Sequence, residues 1–117
     1  MVYMLMIYAN EADWTTKSEA EMAPVMQAHD RLEQDLRKAG KYRGCGGLAP
    51  TTAATTLRLG DGKPVVTDGP YAETKEQFGG YYVIDAKDLD EALSFAERIP
   101  GMGKRAVEIR PVMDLRS

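Results

Sequence analysis

One cysteine and one histidine are all that 117 residues supply of the side chains most used for zinc binding. A structural zinc site wants a cluster of such ligands, and one of each is too few. Carboxylates are plentiful, but none has the spacing of a cation loop. Cys45 has no partner for an internal disulfide. It sits in Gly44-Cys45-Gly46-Gly47, where no neighbouring base would activate it, and reads as a buried or bystander thiol. Long apolar runs are also missing. Met1 to Tyr8 is too short to span a bilayer and lacks a signal peptide's basic start and cleavage site. There is no basic stretch, and the formal net charge is -3, so no electrostatic footprint for nucleic acid is present. The Walker and dinucleotide glycine patterns and the serine hydrolase motif are absent as well. The expectation is a cytoplasmic protein with no metal, no cofactor, no direct nucleic-acid binding and no membrane contact.

What is there fits one domain over residues 1–117, with a modest core drawn from 44% apolar residues. Val2 to Tyr8 reads as a strand that is apolar on both faces, hence central. Asn10 to Thr16 is polar and loop-like. Ser18 with Glu21 forms a capping box, opening a helix that runs to about Ala39 and stops at Gly40. Met22, Val25, Met26, His29, Leu32, Leu36 and Ala39 recur in steps of three and four, marking one buried face. Tyr42 to Leu48 is glycine-rich and extended. Thr55 to Leu59 and Val65 to Thr67 flank the turn signal Asp61-Gly62 and predict a hairpin. Gly80 to Ile84 is a further strand. Asp88 caps a second helix over 89–98, with Leu89, Leu93 and Ala96 inward, and Ala106 to Arg110 is the last strand. The order predicts an α+β, ferredoxin-like βαββαβ plan with an inserted hairpin, an antiparallel sheet and helices on one face. The other face needs a cover, and Tyr81 and Tyr82 beside the two-sided first strand predict a second copy there. A homodimer is the expectation.

Three stretches coincide with a known family: "MVYMLMIYANEADW", "VTDGPYAETKEQFGGYYVIDAKDLDEALSFAERIP" and "VEIRPVM". Together they resemble the YCII-related family in its DGPF-domain branch, over nearly the whole chain. Tyr71 stands where the branch's Asp-Gly-Pro-Phe signature has Phe, which keeps an aromatic wall and adds a hydroxyl. The resemblance implies a dimeric α+β-barrel with a cleft in each subunit. It implies His29 and Asp68 as a His–Asp catalytic pair. It also implies a cleft that binds a small polar or anionic molecule. Some members are encoded with or joined to extracytoplasmic-function sigma factors, which implies a second reading as a non-enzymatic accessory module with such a partner. A cofactor-independent monooxygenase is a third reading, resting on fold analogy alone.

Each candidate has a plainer role beside the functional one. His29, on an apolar helix stripe, is either a hydrogen-bonded core residue or a general base whose tautomer a carboxylate fixes and whose pKa that carboxylate raises. Asp68 opens Asp-Gly-Pro, which is turn chemistry first and ligand contact second. Glu73, Lys75 and Glu76 form either a solvated loop or a cationic Lys75 placed for an anionic ligand; a contact with the other subunit is the third option. Gly79 and Gly80 lack side chains, so a backbone or a ligand can come close. The ligand-binding candidates are therefore Tyr71, Glu73, Lys75, Gly79 and Gly80.

Overall fold

Strand β1, Val2–Ala9, alternates its side chains between a buried set (Tyr3, Leu5) and a half-buried set (Met4, Met6, Tyr8). That alternation decides everything placed around it. In the computed structural model, which describes residues 1–113, β1 lies between two antiparallel neighbours. One is β5, Gln77–Asp85, and the other is β6, Arg105–Pro111. Strand β2, Tyr42–Gly47, pairs with the far side of β5, giving the order β2-β5-β1-β6. Helices α2, Glu19–Lys38, and α3, Leu89–Ala96, lie on the Tyr3/Leu5 face. The architecture is the expected ferredoxin-like α+β plan. Strands β3, Thr55–Arg58, and β4, Val65–Asp68, form the inserted hairpin as a separate two-stranded sheet.

Helix α2 begins where its sequence says it should. The Ser18 hydroxyl accepts from the Glu21 N–H at 3.1 Å, and the Glu21 carboxylate accepts from the Ser18 N–H at 3.0 Å. Pro24 lies within α2 without ending it. Only Leu32 and Leu36 of the apolar stripe are fully buried. They meet Tyr3, Leu5, Tyr82 and Ile84 from the sheet and Ala92, Ala96 and Ile99 from the second helix and its exit.

Two local expectations give way. The stretch after β1 is a short helix, α1, Ala12–Thr15, rather than a loop. The Asn10 side chain accepts from the Ala12 N–H at 3.0 Å and Thr16 bonds back to the Ala12 carbonyl at 2.7 Å, so polar side chains make that turn. In α3 the buried residues are Ala92 and Ala96, while Leu89 and Leu93 are 51% and 41% exposed. The small alanines let this helix sit close to the sheet, which rotates its leucines outward.

The radius of gyration is 16.1 Å. A compact chain of this length has about 13 Å. The excess fits a hairpin that stands off the four-stranded sheet. Its Leu57, Val65 and Val66 are each more than half exposed.

Candidate functional site

The first half of the α2 stripe is not core. Met22, Val25, Met26 and His29 instead form one wall of a cavity of about 360 Å³. That is within the size range of small-molecule pockets. The opposite wall comes from β2 and β5, where Gly79 and Gly80 line the space. Trp14 of α1, Met102 from the connection after α3 and Arg105 at the start of β6 also line it. A Cβ on Gly80 would lie 3.1 Å from the Gly46 carbonyl oxygen, so glycine permits the close approach of β2 to β5. A Cβ on Gly79 would meet the Trp14 indole nitrogen only at 4.0 Å, an ordinary van der Waals contact, so the indole lies just beyond this glycine.

The segment carrying Trp14 is tied down by polar bonds. Gln77 on β5 accepts from the Glu11 N–H at 2.9 Å. The Glu11 carboxylate in turn accepts from the Thr51 N–H at 3.0 Å and from its hydroxyl at 2.6 Å. Arg105 is held likewise, donating to the Ile99 carbonyl at 2.9 Å and to the Gly103 carbonyl at 3.3 Å. Glu33, also on the cavity wall, is occupied by Arg37 at 2.9 Å and by the Cys45 thiol at 3.4 Å. Cys45 is exposed, not buried.

His29 pairs with a tyrosine. Its Nδ1 lies 2.5 Å from the Tyr82 hydroxyl, and the two rings stack with an interplanar angle of 19°. Burial lowers the His29 pKa; Asp30 opposes this and Arg105 adds to it. Burial likewise pushes the Tyr82 hydroxyl up, so both groups are neutral at pH 7. The sign for stability follows. Below the ordinary histidine value of 6.5 the unfolded chain takes a proton that the folded chain resists, so stability falls as pH drops through that region. Carboxylates held down by hydrogen bonds, such as Glu33 and Glu91, act only below their ordinary value of 4.5. His29→Gln should therefore flatten the urea midpoint between pH 6.5 and pH 5 while leaving the steeper acid loss. An unchanged slope in that variant would place the effect elsewhere.

The structure separates the remaining candidates from His29. Asp68 ends β4 on the hairpin, is exposed, and makes no hydrogen bond or ion pair with His29 among the described residues. The turn after it is held by Gly69, whose N–H donates to Ala54 at 2.8 Å and whose carbonyl accepts from Thr56 at 2.7 Å. Gly69 has φ +107°, a conformation that favours glycine. Tyr71 is 80% exposed, lies beneath the Arg58 guanidinium, and faces a second hollow, of about 560 Å³, beside Tyr8 and Phe78. Glu73 and Lys75 are exposed and line neither hollow. Only Gly79 and Gly80 share the His29 cavity.

Sequence reading missed Trp14 and Arg105, and it set Tyr82 with Tyr81 on the uncovered sheet face, whereas Tyr82 is 3% exposed and packs in the core with Leu32 and Leu36. Tyr82 had a signal: it alternates with Ile84, which puts it on the helix side of β5 and under the His29 stripe. Trp14 was hidden in a polar stretch, and Arg105 opens β6 just ahead of the stretch read as that strand, so no alternation marked it.

A family model for the YCII-related domain matches residues 1–116. The chain belongs to the YCII-related family. An uncharacterised protein of Rhizobium meliloti (strain 1021) is 40% identical over 116 residues, covering 96% of this chain and 92% of the relative. The YCII-related domain of this chain thus places its single histidine in the wall of a cavity. Among the described residues no helix is long and apolar enough to cross a membrane.

Proposed function

We propose that this YCII-related domain, a member of the DGPF branch, is a homodimeric small-molecule-binding protein whose site is the His29 cavity. One observation carries the reading. A hollow walled by Trp14, Met22, Val25 and Met26 holds a part-buried hydrogen-bonded pair, His29 and Tyr82, at its side. Apolar walls with a few fixed polar groups are the common make-up of a ligand pocket. The walls suit an apolar body, and Arg105 suits a polar or anionic end. Dimerisation draws support from the open sheet face, where Met4, Met6 and Val83 are half-buried, and from the apolar hairpin. Tyr71, Glu73 and Lys75 stand on the hairpin side and are assigned to the contact with the second copy.

A thermal-shift screen of small aromatic and aliphatic acids, ketones and amines tests the reading. Ligands found with the wild type should lose most of their shift with His29→Ala and with Trp14→Ala, and none with the surface variant Glu97→Ala. Hits that ignore both cavity variants would sink it. Asp68→Ala discriminates further. A loss equal to that of His29→Ala would replace Tyr82 by Asp68 as the partner of the histidine in the assembled protein.

A further inference from the structure

The hydrogen bond between His29 and Tyr82 has a direction, and the direction decides what the cavity recognises. A neutral imidazole brings one hydrogen to its two nitrogens, and a phenol brings one hydrogen and an oxygen that also accepts. Tyr82 is 3% exposed, and its hydroxyl meets only the His29 Nδ1 among the described residues. If Nδ1 carried the hydrogen, the hydroxyl hydrogen of this nearly buried residue would be left without a protein acceptor among the described residues. Such an orphaned donor costs about 1–3 kcal/mol. If the hydroxyl donates instead, only an oxygen lone pair goes unused, and proteins tolerate an under-used acceptor more readily than an orphaned donor. The hydroxyl therefore donates to Nδ1, and the imidazole hydrogen sits on Nε2.

Nε2 finds no partner in the protein among the described residues. Yet among them no buried side-chain nitrogen or oxygen lacks a partner, so Nε2 is open to the outside of the protein matrix. Since His29 lines the cavity, this N–H is a donor available to whatever enters. Around it Arg105 adds a second donor-bearing group, Glu33 is already occupied by Arg37 and Cys45, and Asp30 is exposed. We infer that Tyr82 fixes His29 as the Nε2–H tautomer, so that the cavity selects a small, mostly apolar molecule carrying a carbonyl or carboxylate oxygen. Tyr82 is a positioning residue in this arrangement: it acts through His29. The inference rests on the small-molecule reading proposed above and names its ligand class.

Because the chain has one histidine, a long-range proton–nitrogen correlation spectrum of the uniformly labelled protein reports His29 alone. At pH 7.5, Nδ1 is expected to resonate as an unprotonated, pyridine-type nitrogen and Nε2 as the protonated, pyrrole-type one. Tyr82→Phe should move both toward the tautomer-averaged position. Titration with benzoate should perturb Nε2, with an affinity about ten-fold above that for benzylamine, as one hydrogen bond to a charged acceptor provides. Tyr82→Phe should shrink that preference. A pyrrole-type Nδ1 overturns the inference whatever binds, and leaves the small-molecule reading standing. Equal or stronger binding of benzylamine overturns the ligand class. A pyridine-type Nδ1 with no response to millimolar benzoate confirms the tautomer and overturns the ligand class, while the small-molecule reading stands or falls by the thermal-shift screen.

Discussion

Leu36→Ala should lower the stability of this protein by about 2–5 kcal/mol. Leu36 is 0% exposed and stands where α2 meets the sheet, among Tyr3, Leu5, Tyr82 and Ile84. Its removal leaves a hole that neighbours on two rigid elements can fill only partly. The urea midpoint should fall with little change in slope, because the surface exposed on unfolding is nearly the same. Leu93→Ala makes the control, since that side chain is 41% exposed and should cost under about 1 kcal/mol. A loss at Leu36 no larger than at Leu93 would mean that the core is not centred between α2 and the sheet.

Met6→Lys should turn the proposed dimer into a monomer with its fold intact. Met6 lies mid-strand on β1, on the face opposite Tyr3 and Leu5, and pairs across to Tyr81 on β5 and Glu108 on β6. In one chain this face leaves Met4, Met6 and Val83 half-buried, and a lysine at position 6 would stand beside the exposed Glu108. In a sheet-to-sheet dimer the same lysine is buried without a partner, which costs several kcal/mol. Sedimentation of the wild type at micromolar concentration should show a dimer, and the variant a monomer with an unchanged far-ultraviolet circular dichroism spectrum. A wild type that sediments as a monomer contradicts the dimer outright.

The fold was legible where periodicity is strong. The alternation in Val2–Ala9, the capping box at Ser18 and Glu21 and the turn at Asp61-Gly62 each encode their element locally. Burial along a helix was less legible. The stripe from Met22 to Leu36 has one period throughout, yet its C-terminal half packs on the sheet and its N-terminal half faces an empty space. A helix pattern records which side is apolar, not whether another element reaches it. Leu89 and Leu93 show the same gap from the other side, because two alanines took the buried positions. The site was half legible. His29, Gly79 and Gly80 were singled out and do share a cavity. Asp68 was expected beside His29 because the family resemblance implies a His–Asp pair and these two residues match it. Their meeting depends on how the hairpin sits on the sheet, a long-range arrangement that neither residue's neighbours specify. Tyr82 fills the place at Nδ1 instead, at 2.5 Å.

The central claim is that the His29 cavity is where a ligand binds, and Val25→Trp tests it most directly. Val25 lies on the cavity wall, seven residues before the buried Leu32 on α2, so an indole there should fill the space and leave the core at Leu32 and Leu36 in place. Isothermal titration with the tightest ligand from the screen should give a clear binding curve for the wild type and no detectable heat of binding for the folded variant. Unchanged affinity in Val25→Trp would contradict the account.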